Sequence, residues 1–365
     1  MSIERATQPD DGVWMRRALE LAARGWGQTA PNPMVGAVVV REGVNVGEGW
    51  HTAYGAPHAE VEALRAAGDA ARGATVYVTL EPCDHHGKTP PCTEALIAAG
   101  VARVVAACAD PSPVARGGAE HLRAAGIDVT VGGVEEADAR ELNAAFFHAL
   151  TSARPFVRLK LAMSIDGAIA DHTRRPGWLT GEESRRRVHH LRAGSDAVAV
   201  GIGTVLADDP QLTVREVPPP RVPPTRVVFD TSARLPRTSH LARSAHDAPV
   251  VDVCWAPEPA HAAALEHLGI DLVHAATVGA ALEALRERGI RSLLVEGGAT
   301  LAGAFLQEAL VDRLVIFRAP MVLGGGSLNA FGSLPGVRVA DAIRWRVVHA
   351  ERLGDDELSI YAPPA

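Results

Sequence analysis

The sequence predicts an α/β protein made of two layered domains. Three observations lead there. The chain has 365 residues, more than one hydrophobic core usually serves. Helical apolar periodicity alternates with short runs rich in β-branched residues, the pattern of strands covered by helices. A short polar exit, Thr151 to Pro155, separates two such series. Hydrophobic residues at 47% and charged residues at 22% supply an ordinary globular composition, far from that of disordered chains.

The first series opens at Asp11, where DGVWMRRALELAARG reads as a capped amphipathic helix. Val13, Leu19 and Leu21 are among its apolar positions, and Gly25 stands near its end. GAVVVR at 36–41 and VNVGEG at 44–49 flank Glu42-Gly43 and predict a β-hairpin. Then follow helix 58–68, strand 75–80, helix 92–99, strand 103–108, helix 118–125, strand 127–131 and a closing helix over 135–150. The second series predicts strand 156–163, helix 182–193, strands 196–201, 226–230 and 249–253, helix 280–288 and strand 291–295. EGGATLAGAFLQEAL then gives a glycine turn and a helix, with strand 313–318 after it. VPPPRVPPT at 217–225 is an exposed connection, because proline cannot donate to a strand ladder.

A net charge of −7 argues against a polyanionic partner such as nucleic acid. The longest basic run, Arg185 to Arg187, reads as a solvated helix face. MSIERATQPDDG carries no signal or transit pattern, and no apolar run reaches membrane-spanning length. Cys108 and Cys254 read as small apolar core residues rather than a disulfide framework, so a reducing cytoplasm is the expected compartment.

His58, Cys83 and Cys92 have the ligand types of a catalytic zinc site: one imidazole and two thiolates leave the fourth tetrahedral position open for water. On a helix over 58–68, residues 58 and 60 would point about 200° apart, so Glu60 need not ligate and can address that water. Both His58 and Cys92 fall at expected helix starts, where the positive dipole end favours thiolate and hydroxide. A zinc ion lowers the pKa of its bound water to about 7. The competing reading is a closed structural site with His85 or His86 as fourth ligand, but it gives Glu60 no task. His-x-Glu followed by Pro-Cys is the signature of zinc deaminases, here with the gap to the second cysteine lengthened to DHHGKTPP.

That insertion carries a resemblance. EPCDHHGKTPPC, with PNPMVG at 31–36, GEGWH at 47–51 and DPSP at 110–113, resembles the bacterial bifunctional family of riboflavin biosynthesis. This family joins diaminohydroxyphosphoribosylaminopyrimidine deaminase to 5-amino-6-(5-phosphoribosylamino)uracil reductase. The resemblance implies a cytidine-deaminase-like three-layer domain over 1–150 and a dihydrofolate-reductase-like α/β domain over 151–365. It implies Zn2+ on His58, Cys83 and Cys92, with Glu60 as proton donor. Asn32 and His51 then hold the pyrimidine, while His86 and Lys88 meet the ribose 5-phosphate. The partner is a small phosphorylated pyrimidine, with no nucleic acid and no membrane, and the expected state is a homo-oligomer. The less favoured reading makes Lys88 a solvated loop charge and Asn32 a turn residue.

In the second half, Gly297 and Gly298 follow a strand and begin a helix, where backbone amides can receive a pyrophosphate; a plain turn is the equal alternative. The full Gly-x-Gly-x-x-Gly fingerprint is absent. RPFVRLKLAMSIDG at 154–167, GWLTGEES at 177–184 and TVLADDPQLTVR at 204–215 resemble the family's reductase half. The resemblance implies NADPH contacts from Met163, Trp178, Thr204, Asp208, Thr231, Gly298, Ala299, Thr300, Leu301, Ala302, Gly303 and Ala304. Thr231, Ser232 and Arg234 would face the 2′-phosphate. Arg192, Leu212, Arg215 and Glu296 fall on substrate positions, the two arginines being suited to a phosphate. Lys160 and Glu296 are the candidates to polarise and protonate the opened ribose, although Lys160 also reads as a strand-edge charge. Pro176 stands where the family often has serine. The alternative function is a nucleic-acid base or nucleoside deaminase with a non-reductase second domain; aromatic residues at 4% and the negative charge weigh against it.

Overall fold

In the computed structural model, which describes residues 11–175 and 177–364, the chain forms two compact units that divide between Thr151 and Ser152. The expectations for residues 1–10 and for Pro176 lie outside the described residues.

The first unit runs α1 (Asp11–Ala23), β1 (Gly36–Arg41), β2 (Val44–Trp50), α2 (Ala59–Ala67), β3 (Thr75–Val78), α3 (Cys92–Ala99), β4 (Arg103–Ala106), α4 (Gly118–Ala124), β5 (Asp128–Val131), α5 (Glu136–Leu142) and α6 (Ala144–Thr151). Its sheet has the order β2-β1-β3-β4-β5, antiparallel around β1 and parallel from β3 onward. Because side chains alternate along a strand, each central strand feeds two cores. Val39, Val76 and Val104 pack with Ala63 of α2, Leu96 of α3 and Leu122 of α4. Val38, Tyr77 and Val105 pack with Met15 and Leu21 of α1 and Ala139 of α5. This is a helix-sheet-helix sandwich, and it explains why GAVVVR is apolar without alternation.

Strands expected over 75–80 and 103–108 end at Val78 and Ala106, and the closing helix departs further from expectation. The closing helix over 135–150 is two helices, broken at Asn143. The Asn143 side chain accepts from Met34 N–H and donates to Met34 C=O, both at 2.8 Å, and this pairing with a distant loop takes the residue off the helical path.

The second unit runs β6 (Phe156–Ser164), β7 (Ala168–Ala170), α7 (Glu182–Ala193), β8 (Ala197–Gly201), α8 (Ile202–Asp208), β9 (Thr225–Phe229), α9 (His240–Arg243), β10 (Val250–Cys254), α10 (Pro259–His267), β11 (Asp271–His274), α11 (Val278–Glu287), β12 (Ser292–Glu296), α12 (Ala299–Gln307), β13 (Arg313–Ala319), β14 (Leu328–Asn329), β15 (Arg346–Leu353) and β16 (Asp356–Ala362). The main sheet has the order β11-β10-β9-β8-β12-β6-β13-β16-β15. It is parallel through β13, and the β15-β16 hairpin adds an antiparallel edge. Two cores again cover the faces. One gathers Val198, Val228 and Phe317 with Leu191 of α7, and the other gathers Leu159, Ala199 and Val295 with Leu285 of α11 and Phe305 of α12. Elements β7, α8 to α10, β11 and β14 to β16 are additional to the sequence expectation. Cys108 and Cys254 are buried in apolar clusters, as their type suggests.

Candidate active sites

In the first unit the ends of two helices meet. His58 is the N-cap of α2 and Cys92 the first residue of α3, while Cys83 lies in the loop between β3 and α3. The close seat of α2 on the sheet depends on Gly49, where a Cβ would stand 2.4 Å from Ala63 N. The His58 Nδ1 atom lies 3.2 Å from Cys92 Sγ and 3.5 Å from Cys83 Sγ. Tetrahedral zinc with bonds of ~2.3 Å to sulfur and ~2.0 Å to nitrogen needs ligand separations of roughly 3.5 Å, so these residues fit the ion. His58, Cys83 and Cys92 form the metal-type cluster found among the described residues; His85, His86 and Glu60 do not join it. Among the described residues, the closed four-ligand alternative has no fourth protein ligand.

The electrostatics agree with a cation. A hydrogen bond from Cys92 lowers the Cys83 thiol pKa, with His58 adding to the effect, while its neighbour Cys83 and burial raise that of Cys92. A divalent ion supplies the charge that lets both be thiolates. Burial raises the pKa of Glu60, which is 3% exposed and within hydrogen-bonding reach of Cys92. The expected rotation of about 200° along one helix is not what separates His58 from Glu60. His58 has extended backbone angles (φ −75°, ψ 161°) and lies outside the helix, so the separation of 58 and 60 comes from the cap and not from helical rotation.

Around the cluster, Asn32 Nδ2 stands 3.2 Å from His51 Nε2, and His51 Nδ1 stands 3.1 Å from Pro57 O. A carbonyl only accepts, so Nδ1 carries the His51 proton and Nε2 accepts from Asn32. Burial lowers the His51 pKa and keeps that neutral form. The His51 and His58 rings meet edge to face at 5.4 Å. Asn32 and His51 are thus joined and placed beside the ligands. Lys88 is exposed, with Nζ 4.0 Å above the Tyr54 ring, and His86 is exposed and paired with Glu94 at 3.2 Å.

Two residues of this site were not singled out from sequence. Thr89 Oγ1 lies 3.4 Å from His58 Nε2, the nitrogen turned away from the sulfurs. The buried Glu81 carboxylate accepts from Asp110 N at 3.2 Å and Ala119 N at 2.9 Å, tying the DPSP loop and α4 to the residue two before Cys83. Within EPCDHHGKTPPC, Glu81 stands two residues before Cys83 and Thr89 three before Cys92, and that adjacency was the available signal.

In the second unit, Lys160 on β6 is in register with Glu296 at the end of β12. Arg192 of α7 holds Glu296 at two points, Nε to Oε1 at 2.5 Å and Nη2 to Oε2 at 2.9 Å, and gives Nη1 to Thr213 O at 2.9 Å. The Arg192 fork is thereby directed to a carboxylate, not left open for a phosphate. Burial opposes ionisation of Glu296, but Arg192 outweighs it and the pKa falls to about 2. The Arg192 fork thus favours the anionic form of Glu296, the form that pairs with a cation. Burial lowers the Lys160 pKa, with Arg192 adding to the effect, against the pull of Glu296.

Gly298 is the N-cap of α12, and a Cβ on it would meet Thr204 Oγ1 of α8 at 3.8 Å. Leu301 lies against Gly201, so the starts of α8 and α12 adjoin. Ala299, Ala302 and Gly303 are buried, and a Cβ at Gly303 would stand 2.0 Å from Ser333 Oγ. Within 298–304 the outward groups are the first-turn amides, Thr300 and the half-buried Leu301 and Ala304. Met163, half-buried, lies near the end of β6, Asp208 is exposed at the end of α8, and Trp178 is 79% exposed with Arg185 stacked over its ring at 5.2 Å. Exposed Thr231 accepts from Trp255 N and Ala256 N through its carbonyl, while Arg234 Nε lies 3.5 Å from Asp230. Leu212 is buried, and Arg215 Nη1 donates to Gln211 at 3.1 Å and Thr213 Oγ1 at 2.7 Å.

Residues 9–108 match the model of the cytidine and deoxycytidylate deaminase zinc-binding region, and residues 155–358 match that of the RibD C-terminal domain. The riboflavin biosynthesis protein RibD of Aquifex aeolicus is 44% identical over 350 residues, covering 95% of this chain and 96% of its own. That of Escherichia coli is 43% identical over 370 residues, covering 95% and 97%. Among solved structures, Acinetobacter baumannii RibD superposes with a TM-score of 0.83 at 40% identity, covering 98% of this chain and 99% of its own. The Thermotoga maritima diaminohydroxyphosphoribosylaminopyrimidine deaminase/5-amino-6-(5-phosphoribosylamino)uracil reductase also gives 0.83, at 38% identity over 97% and 99%. With both units matched and the likeness running the length of the chain, this protein belongs to the RibD family of riboflavin biosynthesis proteins.

Proposed function

We propose that the chain deaminates 2,5-diamino-6-ribosylamino-4(3H)-pyrimidinone 5′-phosphate and then reduces the ribosyl side chain to ribityl with NADPH. The observation that carries this reading is the three-ligand cluster with Glu60 buried beside it. A bound zinc ion supplies Lewis acidity and an activated water. Glu60, its pKa raised, takes a proton from the attacking side and delivers it to the exocyclic nitrogen, which departs as ammonia. Asn32 and His51 read the pyrimidine edge, and Lys88 meets the phosphate.

In the second unit bound NADPH would supply the hydride that reduction of the first sugar carbon needs. Lys160 delivers the accompanying proton, and Glu296, fixed by Arg192, holds the substrate and steadies the Lys160 charge. The first-turn amides of α12 and Thr204 receive the cofactor's phosphates. Among the described residues no helix is long and apolar enough to cross a membrane, and the buried free thiols suit a reducing cytoplasm. The test is made on the full chain: zinc content, ammonia release from the diaminopyrimidine phosphate, and NADPH oxidation following it. One zinc per chain with both activities is expected. Ammonia release that survives zinc removal overturns the first half, and absence of NADPH oxidation on deaminated substrate overturns the second.

A further inference from the structure

We propose that His189 is a positioning residue of the reductase unit: its imidazole holds the backbone of Arg215 and thereby aims that arginine at the substrate phosphate. The inference rests on the reductase reading above and deepens it. His189 lies on α7 one turn before Arg192, so both face the same way, and it is 7% exposed. Its Nδ1 atom accepts the Arg215 N–H at 3.2 Å. Arg192 meanwhile donates to Thr213 O at 2.9 Å, so α7 grips the segment 213–215 at two backbone points.

The segment needs such a grip. Asp209, Leu212 and Glu216 all have positive φ, at 40°, 55° and 63°, conformations that residues with a Cβ adopt only when their surroundings impose them. Leu212 is anchored in the core at 3% exposure, and Asp209 Oδ1 accepts from His240 N at 2.8 Å. Those contacts fix the first part of the loop. His189 and Arg192 fix the part that carries Arg215, whose guanidinium is exposed and lies along Gln211 and Thr213. An acceptor is required at Nδ1, which only the neutral ring provides there. Burial and the charges of Arg192 and Arg215 lower the His189 pKa, outweighing Glu216 and Glu296.

The experiment compares His189→Leu, which fills the space without an acceptor, with His189→Gln, which restores one. Loss of one such hydrogen bond predicts about a tenfold rise in KM for the phosphorylated, deaminated substrate in the leucine variant. The glutamine variant should recover most of that, with KM for NADPH unchanged in both. The two variants should not differ on substrate lacking the phosphate. Equal loss in both variants, or a loss that falls on kcat or on NADPH instead, overturns the assignment. Should His189→Leu not fold, His189→Phe makes the same comparison. Binding of ribose 5-phosphate to the full chain by calorimetry forms a separate arm. A wild-type chain that binds the deaminated, phosphorylated substrate without oxidising NADPH sinks the reductase reading, while the ratio of ribose 5-phosphate affinities between variants still decides the role of His189.

Discussion

Arg192 and Glu296 form a two-point ion pair, 2.5 and 2.9 Å, in which each side chain is 12% exposed. Removing the arginine leaves a buried carboxylate beside Lys160, so Arg192→Leu should destabilise the second unit by about 3 kcal/mol and lower NADPH oxidation with it. Glu296 has its pKa depressed to about 2, against about 4.3 in an unfolded chain. The stabilisation it contributes is therefore present above pH ~4.3 and lost as pH falls toward 2. Melting curves of both proteins between pH 7 and 3 check this: the gap between them should narrow at the acid end.

Glu60→Gln keeps the size and burial of the side chain but removes the group that carries the proton. Ammonia release should fall by about 10²- to 10⁴-fold, the usual worth of a positioned acid-base group. Zinc content and NADPH oxidation of supplied deaminated substrate should be unchanged, because Glu60 lies outside the ligand cluster and in the other unit. Deamination at near wild-type rate would remove Glu60 from the mechanism.

Lys160 has a pKa lowered from the usual lysine value by burial. As a proton donor it should cause reduction to decline on the alkaline side, starting below the ordinary lysine range of about 10.4. Lys160→Arg, whose guanidinium stays protonated, should lower kcat but abolish that alkaline limb. A limb identical in both proteins would assign the titration to another group.

Much of this architecture was legible because the local signals agreed with the fold. Cys92–Ala99 and Glu182–Ala193 are helices with the expected bounds, and His58, Cys83 and Cys92 come together as their types suggest. What was missed depends on distant partners. The apolar periodicity over 135–150 runs straight through Asn143, and only Met34, 109 residues away, breaks it. Arg192 looks like a phosphate ligand until Glu296, 104 residues on, takes its fork. The β15-β16 hairpin escaped notice because β15 is mostly exposed and shows no clean alternation.

Zinc binding should fall as pH falls, since protons compete for Cys83, Cys92 and His58. Removing the ion with a chelator should lower the melting temperature of the first unit and leave the second unchanged, as ligands stabilise only the unit that binds them. Calorimetry resolves the two transitions, and a shift in both would show that the metal supports more than its own unit.

Gly118 sits where α4 begins, and a Cβ there would stand 1.8 Å from the carbonyl oxygen of Pro82. That is far inside contact distance, and the obstacle is backbone, so Gly118→Ala must displace either α4 or the Pro82 peptide. Ala119 N is held by Glu81 at 2.9 Å, which resists movement of the helix. The strain thus falls on Pro82 and on Cys83 directly after it. Because altered support of a metal ligand typically costs 10- to 100-fold in affinity, zinc should transfer to a chelator at least about tenfold faster from the variant. Ammonia release should fall in proportion to zinc content, and excess zinc should restore part of it. Unchanged zinc release would mean that α4 moves as a whole and that the Glu81 contact yields before the metal loop does.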